Sequence, residues 1–202
     1  MKSYRTLTLL AAAVVLAGCK TDSGIEDQES PVALVVQSIT PVGTPTPFGD
    51  VRVDENGAAF GDSIDITLAS VIINQNPGSP GVTEATELND IILERMRITW
   101  SRIDGGVDLP PNREDILTNR VTPGGTLTIT GLEVLSALHK FEFPLFYLRS
   151  DSLGFEPSTG FFSIQAAGTI EFFGRTLAGK PVHARGQFRI EWTDWADSAT
   201  GT

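Results

Sequence analysis

The two alternating runs that close the chain constrain its fold more than any other feature. Phe162, Ile164, Ala166, Ile170 and Phe172 all fall on even numbers, as do Val182, Ala184, Phe188, Ile190 and Trp192, and polar residues fill most of the odd positions. A period of two places each apolar set on one face of an extended strand; a helix would scatter it around its circumference. The link "GRTLAGK" (174–180) contains two glycines, so the pair reads as a β-hairpin with a longer loop. Pairing Phe172 with Val182 sets Gly168 opposite Gly186 on the inner face, which predicts a thin spot for a bulky neighbour or a sharp bend.

The same signal recurs upstream. "VALVVQSI" (32–39) is rich in valine, "DSIDITLASVII" (62–73) alternates Ile64, Ile66, Leu68 and Ile72 with more polar residues, and "IILERMRITWSRI" (91–103) puts Met96, Ile98 and Trp100 on one face. "GTLTIT" (125–130) sets Leu127 and Ile129 against threonines. "TGLEVLSALHK" (130–140) fits two readings: Thr130 and Glu133 form a helical capping box, while Leu132, Val134 and Leu138 fit strand alternation. Pro144 in "FPLFYLR" (143–149) excludes a central strand and leaves room for a turn of helix. Seven to nine strands without strand–helix alternation predict an all-β chain, an antiparallel immunoglobulin-like β-sandwich. Segments such as 74–90 are surface loops, and neither an internal repeat nor a second domain is visible.

Cys19 is the only cysteine, so the inter-sheet disulfide of antibody domains cannot form and apolar burial must hold the sandwich. The chain has 202 residues, enough for one substantial core. Its 15 basic and 25 acidic residues give a net charge of -10. With no basic run, that balance argues against nucleic acid as a partner, because such binding rests on phosphate neutralisation.

The N-terminus has the layout of an export signal. Lys2 and Arg5 precede an apolar stretch from Leu7 to Ala17, about 11 residues where a membrane-spanning helix needs roughly 20. Leu16-Ala17-Gly18-Cys19 resembles the lipobox of bacterial lipoproteins at every position. The resemblance implies that residues 1–18 are a signal peptide, that the Cys19 thiol receives a diacylglycerol, and that the freed amine is acylated. Two or three acyl chains, at about 0.8 kcal/mol per buried methylene, would anchor the protein stably in a membrane. Loss of Lys2 and Arg5 leaves 13 basic residues against 25 acidic, a net charge of -12. Lys20 stands where enterobacterial lipoproteins retained at the inner membrane tend to carry aspartate, which points to the outer membrane of the cell envelope. Residues 19–31, the acylated cysteine and the polar run "KTDSGIEDQESP", read as a flexible spacer. Residues 32–197 form the β-sandwich, and 198–202 a disordered tail.

Candidate chemistry is sparse. His139 and His183 are the only histidines and lie outside any metal-motif spacing, and there is no Gly-x-Ser-x-Gly elbow. "VDENG" (53–57) and "RIDGGVD" (102–108) place carboxylates beside glycine without the spaced acidic ligands of an EF-hand, so turns are the simpler reading. No cofactor or metal site follows. "EWTDWAD" (191–197) offers a binding surface: Trp192 faces inward, while Trp195 falls outward beside Asp194 and Asp197 if the strand continues. The plainer alternative has Trp195 folding over the end of the sandwich as a plug. Arg95, Arg97 and Arg102 lie on or near one strand, where pairing to carboxylates of a neighbouring strand is the expected role and anionic-glycan binding the sharper one.

The lipobox, "ERMRITWSRIDG" and the closing "GTIEFFGRTLAGKPVHARGQFRIEWTDWAD" together resemble a group of uncharacterised bacterial lipoproteins with a single immunoglobulin-like sandwich. That resemblance carries no activity. The expectation is a lipid-anchored, non-enzymatic binding or structural module. Its partner would be a glycan, bound near Trp195, or an envelope protein, which could add a strand to an exposed sheet edge. An envelope hydrolase would instead need His139 or His183 close to a serine or carboxylate in a pocket.

Overall fold

A computed structural model describes residues 30–42, 48–51, 61–73 and 85–194. Cys19 with the segment before it, the 53–57 loop, Trp195, Asp197 and the 198–202 tail lie outside the described residues.

Nine strands form two sheets. The smaller contains β1 (Val32–Pro41), β3 (Asp62–Ile72) and β7 (Thr126–Leu135) in the order β1-β3-β7. The larger runs β2-β9-β8-β4-β5, from β2 (Phe48–Asp50), β9 (Pro181–Thr193), β8 (Ser163–Thr176), β4 (Ile91–Arg102) and β5 (Arg113–Ile116); β6 (Arg120–Val121) also pairs with β4. All pairings are antiparallel except β2 with β9, which is parallel. First, third and seventh strands on one sheet face fourth, eighth and ninth on the other, with a short parallel contribution from the N-terminal segment. This is the strand order of an immunoglobulin-like sandwich. Its core draws Leu34, Ile66 and Leu68 from one sheet and Ile98, Ile170, Phe172 and Trp192 from the other.

The closing hairpin forms, but in a different register. Phe172 lies opposite Ala184, Val182 opposite Gly174, Gly168 opposite Phe188 and Gly186 opposite Ile170. The cause is the turn. Thr176 N–H donates to the Lys180 carbonyl at 2.8 Å, and Gly179, at φ 83°, takes the left-handed position of a three-residue loop. This tight closure moves the centre of the turn one residue later and the pairing by two. A two-residue shift preserves which face each side chain occupies, so the even-numbered residues still point inward.

The two glycines are therefore thin spots with separate uses. The Phe188 ring covers the position a Gly168 Cβ would take. A Cβ on Gly186 would instead press on Val36 and Ile39 of the opposite sheet. Phe162 precedes the strand and is 75% exposed, so it leaves the inner-face set.

Three strands change phase midway. An extra residue enters β1 at Gln37, β4 at Glu94 and β7 around Gly131. Hence Ile91 and Leu93 are buried on odd numbers while Met96, Ile98 and Trp100 are buried on even ones. Gly131, at φ 63°, is the left-handed residue of its bulge and donates its N–H to the Asp65 carboxylate at 2.8 Å. The strand reading of "TGLEVL" thus prevails through Leu135, and the helical potential survives as a short 3-10 turn, Ala137–Phe141. A second 3-10 turn, Leu145–Leu148, follows Pro144 as expected.

Gly168→Val should push a branched side chain into the Phe188 ring with backbone on every other side. We expect a loss of about 1–3 kcal/mol, read as a lower urea midpoint; unchanged stability would contradict the packing described.

Candidate functional site

The ends of β1, β4, β7 and β9 and the starts of β3, β5 and β8 share one end of the sandwich. Two loops crown that end: 103–112 between β4 and β5, and 136–162 between β7 and β8. Val32, where the N-terminal segment enters β1, lies at the opposite end beside the β8–β9 turn.

Buried charges fix these loops. Arg102 has the same even parity as Met96, Ile98 and Trp100, and its side chain is 3% exposed. Its guanidinium pairs with Asp104 through Nε (2.7 Å) and Nη2 (2.9 Å), and it donates to the Asp108 carbonyl at 2.8 Å. Asp104 also accepts the backbone N–H groups of Gly106 (3.1 Å) and Gln165 (2.8 Å), which leaves no lone pair in the loop for a calcium ion. Glu156, wholly buried, lies 3.4 Å from Arg102 and accepts both the hydroxyl and the backbone N–H of Ser158 and of Thr159. Burial pushes the Glu156 carboxyl up, but the Ser158 and Thr159 donors outweigh it and the net shift is downward. Asp104 is also lowered, with burial opposed by Arg102, Gln165 and Gly106. The turn reading of "RIDGGVD" holds. Arg102, expected to reach a neighbouring strand, bonds within its own loop instead.

A second buried cluster plugs the same end. Lys140 Nζ donates to Asp62 Oδ1 at 3.0 Å, and Trp192 Nε1 donates to Asp62 Oδ2 at 2.8 Å. One carboxylate thus joins the 136–162 loop to both sheets. Gly49 lets β2 pass, since a Cβ there would meet the Trp192 ring and Asp62.

With the polar groups turned inward, apolar side chains dominate the outside of the loops. Val107, Leu138, Phe143, Phe161 and Phe162 are all more than half exposed, with Ile103, Leu109, Phe141 and Phe155 partly so. Phe143 packs against Phe146 and Tyr147, and the Arg149 guanidinium lies 4.7 Å over the Phe141 ring. A shallow groove of about 500 Å³ runs beside Phe161 and Phe162 between Gln165, Glu191 and Thr193. No alternation marks these residues in the sequence; the density of phenylalanine between 141 and 162 was the available signal.

Of the residues singled out in "EWTDWAD", Trp192 is buried as expected. Asp194 accepts the Ser150 backbone N–H at 2.6 Å, which ties the end of β9 to the 136–162 loop. Trp195 and Asp197 lie outside the described residues.

Arg95 and Arg97 pair across the sheet as expected, with Glu114 at 2.8 Å and Glu171 at 2.6 Å. His183 stacks on Phe173 and lies 3.4 Å from Glu171. Glu171 is held below the usual carboxylate range by its hydrogen bond to Arg97, so it is a weak base on an open face. Among the described residues, no three His, Cys, Asp or Glu side chains gather as a metal site. No protein-family model, curated protein or solved structure matches the chain.

A carboxyl whose pKa is lowered by folding contributes stability in full above its unfolded value, about 4.3 for glutamate, and loses it as the pH falls through the depressed native value. We therefore expect the urea midpoint to fall on acidification below about pH 4. Glu156→Gln should destabilise at pH 7 by roughly 1.5–3 kcal/mol and flatten that acid slope. Identical pH profiles for the two proteins would refute the assignment.

Proposed function

We propose that the chain is a lipid-anchored, non-enzymatic module of the bacterial cell envelope that docks a protein partner through its loop-bearing end. The observation that carries this reading is the contiguous run of exposed phenylalanine, leucine and valine side chains on loops that buried ion clusters hold in place. Exposed apolar surface of this kind on a rigid scaffold favours macromolecular contact. The lipobox at 16–19 supplies the anchor, and the described segment starts at the end of the sandwich remote from these loops. A spacer of a dozen residues, reaching at most about 40 Å, would then present the aromatic end away from the membrane.

A glycan is the second reading, favoured by the groove in which Phe161 and Phe162 adjoin Gln165, Glu191 and Thr193. Protein is preferred because most rings on this surface lack a polar atom, and the strongest polar groups beneath them, Arg102, Asp104 and Glu156, are already paired. Sugar hydroxyls need such groups.

Two experiments test the parts separately. Cys19→Ala should move the protein from the detergent phase to the aqueous phase; if the variant partitions like the parent, the anchor is wrong. A photo-crosslinking residue at Phe162 should yield one discrete protein adduct in envelopes, lost on Phe143→Ser/Phe161→Ser substitution. Glycan binding by the domain without a protein adduct would favour the second reading.

A further inference from the structure

The outer edge of β9 is a second binding surface, distinct from the loop end and independent of the reading given to it. β9 bonds β8 along its whole length, but on its other side β2 covers only Glu191–Thr193. Among the described residues, Pro181–Ile190 has no strand beside it on that side. The hairpin fixes which groups are free. Thr176 N–H donates to Lys180 O, so even-numbered β9 residues bond to β8, while Thr193 O, on an odd residue, accepts the Val51 N–H from the β2 side. The N–H and C=O groups of His183, Arg185, Gln187 and Arg189 therefore face outward from the edge, and such a row is a template for another strand. At the Val32 end a groove of about 560 Å³, lined by Val32, Leu34, Ile73 and Val182, opens beside it between the sheets.

Charge selects the occupant. Neither Arg185 nor Arg189 has an ion-pair partner among the described residues: Glu171, opposite Arg185, is bound to Arg97 and His183, and Ala167 stands opposite Arg189. These are two unmatched cations on a chain of net charge -10. A second copy pairing antiparallel about Gln187 would set Arg185 against Arg189, which is unfavourable. We propose that the β9 edge takes an extended, acidic segment of a partner protein by strand addition, its backbone bonding residues 183–189 and its carboxylates meeting Arg185 and Arg189.

The test is residue-resolved amide exchange on the full-length chain in mild detergent, with a capped peptide of alternating glutamate and valine as probe and its lysine counterpart as control. The acidic peptide should slow exchange at His183, Arg185, Gln187 and Arg189 and leave even-numbered β9 amides as they were. Arg185→Glu/Arg189→Glu should weaken binding by about tenfold and favour the lysine peptide. Gln187→Pro, which removes an outward N–H and spares the β8 ladder, should abolish it. Equal binding of both peptides, or protection confined to the loop end, would overturn the proposal. So would protection of the four amides before peptide is added, or a dimer without it, because the edge would then be occupied by this chain itself.

Discussion

The carboxylate of Asp62 is the point on which the loop-bearing end depends. One oxygen takes the ammonium of Lys140 and the other the indole N–H of Trp192, the largest fully buried side chain. Trp192 in turn packs edge-on against Trp100 at 5.2 Å between ring centres, and Trp100 against Phe188 at 5.5 Å. Thus the start of β3, the end of β9, the middle of β4 and the 3-10 turn after β7 meet around one group. A buried indole or ammonium without a partner would cost several kcal/mol, so the two sheets and the loop are locked into one mutual arrangement. This polar pin takes the place of the disulfide that a single cysteine precludes.

The Arg102 cluster extends the same logic outward. Burying three ions is costly, and such clusters seldom add much net stability over an apolar replacement. Their effect here is geometric: Arg102 and Asp104 hold the 103–112 loop, Glu156 holds the 156–161 turn, and the Gln165 N–H ties both to the start of β8. Two loops far apart in sequence become one platform. Their charged groups face the domain, which leaves phenylalanine, valine and leucine to face solvent.

Much of the fold was legible because alternation reports burial directly. Ile64, Ile66 and Leu68, Met96, Ile98 and Trp100, and the even residues of the closing hairpin all lie where parity places them. Parity breaks at β-bulges, which depend on pairing with a strand distant in sequence. Neither Glu94 nor Gln37 carries a local mark, and the Gly131 bulge was hidden within a segment that also resembled a helix start. The hairpin register was missed by two because Gly179 closes a shorter loop than the link suggested. In the candidate site, Arg102 could have been found, since its even number follows Trp100 onto the inner face. The exposed aromatic surface could not, because a dense run of phenylalanine in a loop reads equally well as buried or exposed until the loop's polar anchors are known.

The domain's polarity follows from the way its strands share termini. An odd number of antiparallel passes separates Val32 from the loops after β4 and β7, so the entry of the chain and the aromatic platform occupy opposite ends whatever the detailed loop conformation. The β9 edge runs between those ends, because β2 covers three residues of it and the remainder has no neighbour among the described residues. Outward arginines discourage self-pairing along that edge, which is how an exposed strand can persist on an isolated sandwich. With a lipid at Cys19, as proposed, diffusion of the domain would be confined to a plane. A partner engaging both the distal platform and the lateral edge would then gain from effective concentration, since occupation of either surface holds the other within a strand's length.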